Sequence, residues 1–170
     1  MSLVILTQSV LAITTSGTLT QDEIWTGKVL ITGDVVIPEG VTLTILPGTL
    51  ITFSGDGSDN DVETAVLNEL WLGKSNLIVR GDLIIQGKEN SRVVIGGFSL
   101  DANRPTPVWW GGIIFEGLNV ASLIEYTEIR YADVALVFTG HSLPWIVNSA
   151  IADNDVGIMT FDLSSPRIIG

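Results

Sequence analysis

The chain contains no cysteine, which excludes disulfide staples and thiolate metal sites and leaves the redox compartment open. Basic residues are scarce: 8 Lys and Arg stand against 19 Asp and Glu, for a formal charge of −11. That balance repels a phosphate backbone or an anionic membrane surface, so nucleic acid is not an expected partner. Charged residues make up only 16% of the chain, too few for a disordered segment or an array of surface helices. No window approaches the roughly 20 apolar residues that a membrane span needs. The opening "MSLVILTQSVLAITTSG" lacks the basic n-region of a secretory leader, and Gln8 and Ser9 interrupt its apolar run.

What the chain does have is apolar residues, at 46%, and 18 glycines, a composition that suits many short strands and tight turns. With 170 residues it is long enough for one well-buried core, and a single domain over 1–170 is expected. From Lys28 the sequence divides as "KVLITG", "DVVIPEG", "VTLTILPG" and "TLITFSG", with Gly33, Gly40, Gly48 and Gly55 at the breaks. Each segment has the length and period of a strand. Glycine permits positive φ at each corner, and Pro38 and Pro47 pre-set the corner before it.

Such turns make either an antiparallel meander or a coil whose short strands pair only with the next turn. A meander favours two-residue Asn-Gly or Asp-Gly loops, and the one Asp-Gly, at 56–57, falls in an acidic stretch rather than between strands. A coil predicts recurrence of residue types at one full turn. Setting 124–146 above 146–168 places Ile124 over Ile146, Ile129 over Ile151, Asp133-Val134 over Asp155-Val156, Pro144 over Pro166 and Ile146 over Ile168. One turn earlier, "GIIF" (112–115) matches "ALVF" (135–138). The expected fold is therefore all-β: a right-handed parallel β-helix of about 22 residues per turn, with three short sheets.

The segments "GDVVIPEGVTLTILPGTLITF", "LIVRGDLIIQG", "WWGGIIFEG" and "LIEYTEIRYADVAL" resemble those of right-handed parallel β-helix repeat proteins, the superfold of pectate lyases and of many secreted and surface proteins. The resemblance spans roughly 25–170. It implies a stacked parallel ladder and a secreted or surface setting; it implies no single function. Residues 1–27 are expected to form an N-terminal cap. Residues 56–76 and 98–110 break the repeat as lateral insertions, where partner contacts are most often made. By the 22-residue register "SSPRIIG" stops mid-turn, so self-association through an uncapped C-terminal turn is expected.

Asp133 and Asp155, one turn apart, and Asp153 beside them are the candidate acid/base carboxylates, since glycoside hydrolysis uses two at about 5–9 Å. The competing reading is that these residues cap corners by bonding backbone amides. Polygalacturonase-like relatives would carry Asp-Asp, Gly-His-Gly and Arg-x-Lys; here His141 stands in "TGHS", and neither of the other motifs is present. The pectate-lyase-like set also fails, because Glu125, Glu128 and Arg130 face Val147, Ala150 and Ala152 one turn on. Asp56, Asp59, Asp61 and Glu63 are a candidate calcium site, with hard oxygen ligands at near-alternate positions, although the loop departs from the EF-hand pattern. Otherwise no cofactor is expected.

Trp71, Trp109 and Trp110 are the candidate ligand-binding residues, as exposed aromatics anchor interfaces. Thr42, Thr44, Thr49 and Thr52 are expected to face outward around inward Leu43 and Ile45. Together these features point to a non-enzymatic extracellular or cell-surface scaffold or binding module with a protein or polysaccharide partner. The alternative is a polysaccharide lyase or glycoside hydrolase fragment.

Overall fold

A computed structural model describes residues 12–54, 74–97 and 107–170. Among these the chain forms sixteen strands and no helix. One sheet contains β2 (Glu23–Trp25), β4 (Thr42–Ile45), β7 (Asp82–Gln86), β10 (Leu123–Glu125), β13 (Trp145–Val147) and β16 (Arg167–Ile169), paired in that order. The second contains β1 (Ile13–Thr18), β3 (Lys28–Ile37), β5 (Leu50–Phe53), β6 (Leu77–Val79), β8 (Val93–Gly96), β9 (Ile113–Glu116), β11 (Thr127–Arg130), β12 (Val134–Thr139), β14 (Ala150–Ile151) and β15 (Val156–Thr160). Its order is β14-β11-β8-β5-β3-β6-β9-β12-β15, with β1 alongside β3. Every pairing between named strands is parallel, as between β1 and β3 or between β13 and β16.

The register turns the apolar alternation of each strand into continuous columns. Trp25, Ile45, Ile85, Ile124, Ile146 and Ile168 are successive Cα partners across the six-stranded sheet. Val29, Ile51, Ile95, Ile129 and Ile151 form a second column across one arm of the larger sheet. Phe115 packs on Phe138 with centroids 5.2 Å apart. Neighbouring parallel strands lie about 4.8 Å apart, so each inward side chain meets its column neighbours directly. Leu43, Ile45, Leu83 and Ile85 are fully buried, while Thr42, Thr44, Asp82 and Ile84 between them are partly exposed, the alternation of a strand with one buried face. The residue matches at the C-terminal end are Cα partners on paired strands: Ile124 with Ile146, Ile129 with Ile151, Val134 with Val156 and Phe115 with Phe138.

The expected right-handed parallel β-helix, with three short sheets, about 22 residues per turn and two lateral insertions, is corrected by this topology. There are two parallel sheets, not three. The physical reason lies at Gly33, read as a corner: it sits inside the ten-residue β3, which continues across it as one strand. Gly40 and Gly48 do turn the chain, each at a φ of 78°, whereas Gly33 is not among the positive-φ glycines. One half of β3 therefore pairs with β5 and the other with β6, joining two arms into one sheet. Leu123 pairs with Trp145 and Lys28 with Leu50 at the expected interval; the longer pairings, Thr42 with Asp82, Leu50 with Val94 and Val93 with Thr127, span the two insertions at 56–76 and 98–110.

Two of the four threonines are also corrected. Thr49 and Thr52 are buried, and their hydroxyls donate to the carbonyls of Leu46 (2.7 Å) and Val29 (3.3 Å). Each thus satisfies its polar group locally, as burial requires.

Candidate functional site

Between strands the backbone ladder lapses, and polar side chains from a neighbouring pass supply the missing acceptors. Asp22 accepts from Thr42 N (2.8 Å), Ser122 Oγ from Leu83 N (2.9 Å), and Asn154 from Ala132 N (2.9 Å). Ser149 Oγ accepts from Thr127 N (3.1 Å), and Asp162 from Gly140 N (3.2 Å) and Thr139 Oγ1 (2.8 Å). These two bonds, with His141 beside it, hold the Asp162 carboxyl below its usual range. At each of these places a polar side chain gives a backbone amide its partner.

The densest polar cluster lies at the middle of β3. Asp34 is almost fully buried, and one carboxylate oxygen accepts from both Asn76 N (2.8 Å) and Asn76 Nδ2 (3.1 Å). Burial is the main influence and pushes the Asp34 carboxyl up; the two bonds from Asn76 act in the opposite direction without cancelling it. Asn76 Nδ2 also donates to the Lys74 carbonyl (2.9 Å), and the Lys74 ammonium holds both oxygens of Asp133 at 2.6 and 2.7 Å. Ser75 Oγ and Asn76 Oδ1 are buried without a hydrogen-bond partner. Gly111 closes over this cluster: a Cβ there would lie 1.9 Å from Asn76 Oδ1.

The candidate carboxylates are thereby placed in three different settings. Asp133 is an ion-pair partner of Lys74. Asp153, at a φ of 56°, pairs with Arg130, which also holds Glu128. Asp155 is exposed, and its backbone N–H donates to Ala132 O (3.0 Å). Their backbones stack as the sequence implies, with Val156 N donating to Asp133 O at 2.8 Å. The side chains of Asp133 and Asp153 turn to different cations. His141 is exposed on a corner at a φ of 68°.

The tryptophans separate as well. Trp109 is 43% exposed and meets Tyr131 edge-on at 6.4 Å. Trp110 is a core residue at 1% exposure, stacked on Phe53 with centroids 4.1 Å apart, and its Nε1 donates to Arg130 O at 2.8 Å. Trp71 and the acidic residues Asp56, Asp59, Asp61 and Glu63 lie outside the described residues, as does most of each insertion. Among the described residues no group of three or more His, Asp or Glu side chains is gathered to hold a metal, and no helix is long and apolar enough to cross a membrane.

The surface that sequence reasoning missed is the outer face of the six-stranded sheet. Ile24, Thr44, Ile84, Leu123, Trp145 and Arg167 are successive Cα partners there. Ile24 is 66% and Trp145 38% exposed, and the Arg167 guanidinium stands 4.8 Å from the Trp145 ring centroid. The pairing Leu123–Trp145–Arg167 was available at the 22-residue offset, but Trp145 sits beside Pro144 and reads as a corner.

No family model, curated protein or solved structure matches the chain. The resemblance to parallel β-helix repeat proteins is accordingly corrected: no family match supports it, and the two-sheet arrangement departs from it. Functional assignment rests on the chain's own surfaces.

Proposed function

We propose that this chain is a non-enzymatic binding scaffold, working outside the cell or at its surface, that engages a polysaccharide or protein partner. The observation that carries this reading is the outer row of the six-stranded sheet. Its backbones are fixed by the parallel ladder, and its partners lie about 4.8 Å apart, so the row is a straight, preorganised surface rather than a flexible loop. Trp145 under the Arg167 guanidinium gives it an amphipathic anchor of the type that dominates binding energy. The charge of −11 favours a neutral or cationic partner over an anionic one. The acidic composition suits the extracellular setting.

Cleavage of a polysaccharide would need a carboxylate free to exchange protons with substrate, whereas Lys74 and Arg130 hold Asp133 and Asp153. Calorimetry against neutral polysaccharides should show binding that Trp145→Ala weakens at least about tenfold, the scale of one aromatic anchor. Equal affinity of Trp145→Ala and wild type would remove this row from the reading. A depolymerisation assay gives the opposite test: turnover abolished by Asp133→Ala or Asp155→Ala would replace the scaffold with an enzyme.

A further inference from the structure

The corners that lead from the larger sheet into the six-stranded sheet differ in length from pass to pass. In the order fixed by strand pairing they cover 38–41, 80–81, 117–122 and 140–144. The short corner Arg80-Gly81 thus lies between two longer ones, and the shortfall leaves a groove of about 420 Å³, a size that suits a small molecule. Gly81 makes the short corner possible, since a Cβ there would lie 2.2 Å from Val41 O and 2.4 Å from Pro38 O. Asn119, almost fully buried, ties the next corner to it by donating from Nδ2 to Val79 O (3.1 Å) and Gly81 O (2.7 Å). The chain itself holds the walls, so a ligand would not have to order them.

The groove presents donors and acceptors together. Arg80 bonds Glu116 through Nε at 2.9 Å, and its terminal nitrogens have no partner among the described residues. Asp82 spends Oδ1 on Ala121 N (3.2 Å) and Ser122 Oγ (3.4 Å) and keeps its other oxygen. Glu39 is exposed and bonds none of the described residues. Leu118 and Val120, 61% and 64% exposed, add apolar surface on the side of the longest corner. An anion would meet Glu39 and Asp82, and an ammonium, which has only donors, would meet Arg80. A hydroxyl both donates and accepts, and forked charged groups can engage two neighbouring hydroxyls at once. Asn119 Oδ1, in the groove wall, is a buried acceptor with no donor among the described residues, which points to a donor from outside the chain.

We propose that this groove holds one neutral pyranose unit, its hydroxyls bonded by Glu39, Arg80 and Asp82 and its C–H face against Leu118 and Val120. Asp82 opens β7 two positions before Ile84 of the outer row, so a polysaccharide lying along the row can place one unit, or a branch, in the groove. This assignment rests on the polysaccharide form of the proposed function and adds to it a polar site that selects the sugar.

An NMR titration of the isotopically labelled 170-residue chain with the methyl glycosides of glucose, galactose and mannose tests it. At least one of them should shift the amides of Gly40, Gly81 and Gly117 saturably. Glu39→Ala and Arg80→Ala should each weaken that binding about tenfold or more, the scale of one charge-assisted hydrogen bond. Glu39 is exposed, so Glu39→Ala should leave the rest of the spectrum unchanged. No saturable shift at these glycines with any of the three overturns the proposal. Equal affinity of Glu39→Ala and wild type overturns it too, as does a response there to methylammonium or inorganic phosphate as strong as that to the glycosides. Shifts confined to Ile84 and Leu123 would overturn the groove and keep the binding reading of the outer row, whereas a chain that responds at neither place fails both.

Discussion

Trp110→Ala is expected to cost about 3–5 kcal/mol of stability, read as a lower urea midpoint at constant slope. The loss has two sources. The ring is fully buried and lies flat on Phe53 at 4.1 Å with an interplanar angle of 11°, so truncation leaves a cavity against Phe53. The indole N–H also satisfies the Arg130 carbonyl, and the residue's backbone joins two passes by donating to Tyr131 O and accepting from Asp133 N. Trp110→Phe separates these contributions. It keeps most of the ring contact and loses only the hydrogen bond, so it should cost about 1–3 kcal/mol. A change below about 1 kcal/mol for Trp110→Ala would show that the neighbouring strands collapse into the space, contrary to a core held in place by parallel pairing on both sides.

The same residue shows why some of this molecule was legible in the sequence and some was not. Trp109 and Trp110 are adjacent, and along an extended chain neighbours point to opposite faces. One of the pair had to be inward, but the sequence carries no marker of which. By contrast, inward Leu43 and Ile45 follow from alternation within "VTLTIL", and the stacking of Ile124, Ile146 and Ile168 follows from recurrence, because a parallel ladder repeats residue type along a column. The number of sheets was not legible. It depended on whether Gly33 bends the chain, and a glycine permits positive φ without requiring it. The partners of Asp133 and Asp34 were also hidden. Lys74 and Asn76 meet them only through long-range register, which a local reading of "KSN" cannot supply. The corner caps were legible as a type of interaction, since Asp, Asn and Ser favour such places, but the passes they bridge were not.

Asp34 is the position where a one-atom change should separate charge from hydrogen bonding. At neutral pH Asp34→Ala is expected to lose about 1–3 kcal/mol, because the buried Asn76 backbone N–H is left without its acceptor. Asp34→Asn keeps an oxygen where the carboxylate accepts and removes the charge, so it should be at least as stable as wild type. The sign of the pH dependence follows from burial, which raises the Asp34 carboxyl above 3.8 in the folded chain. A raised carboxyl means that the fold prefers the neutral acid. Its stabilising contribution is present below the unfolded value and is lost as pH rises through the folded one. The gap between Asp34→Asn and wild type should therefore narrow on acidification through that window, while the deficit of Asp34→Ala persists, because the neutral acid still accepts from Asn76. Urea midpoints of the three chains at neutral and mildly acid pH measure this directly. An Asp34→Asn chain as weak as Asp34→Ala at neutral pH would mean that the ionised carboxylate is the stabilising form. The bonds from Asn76 would then outweigh burial at the centre of β3.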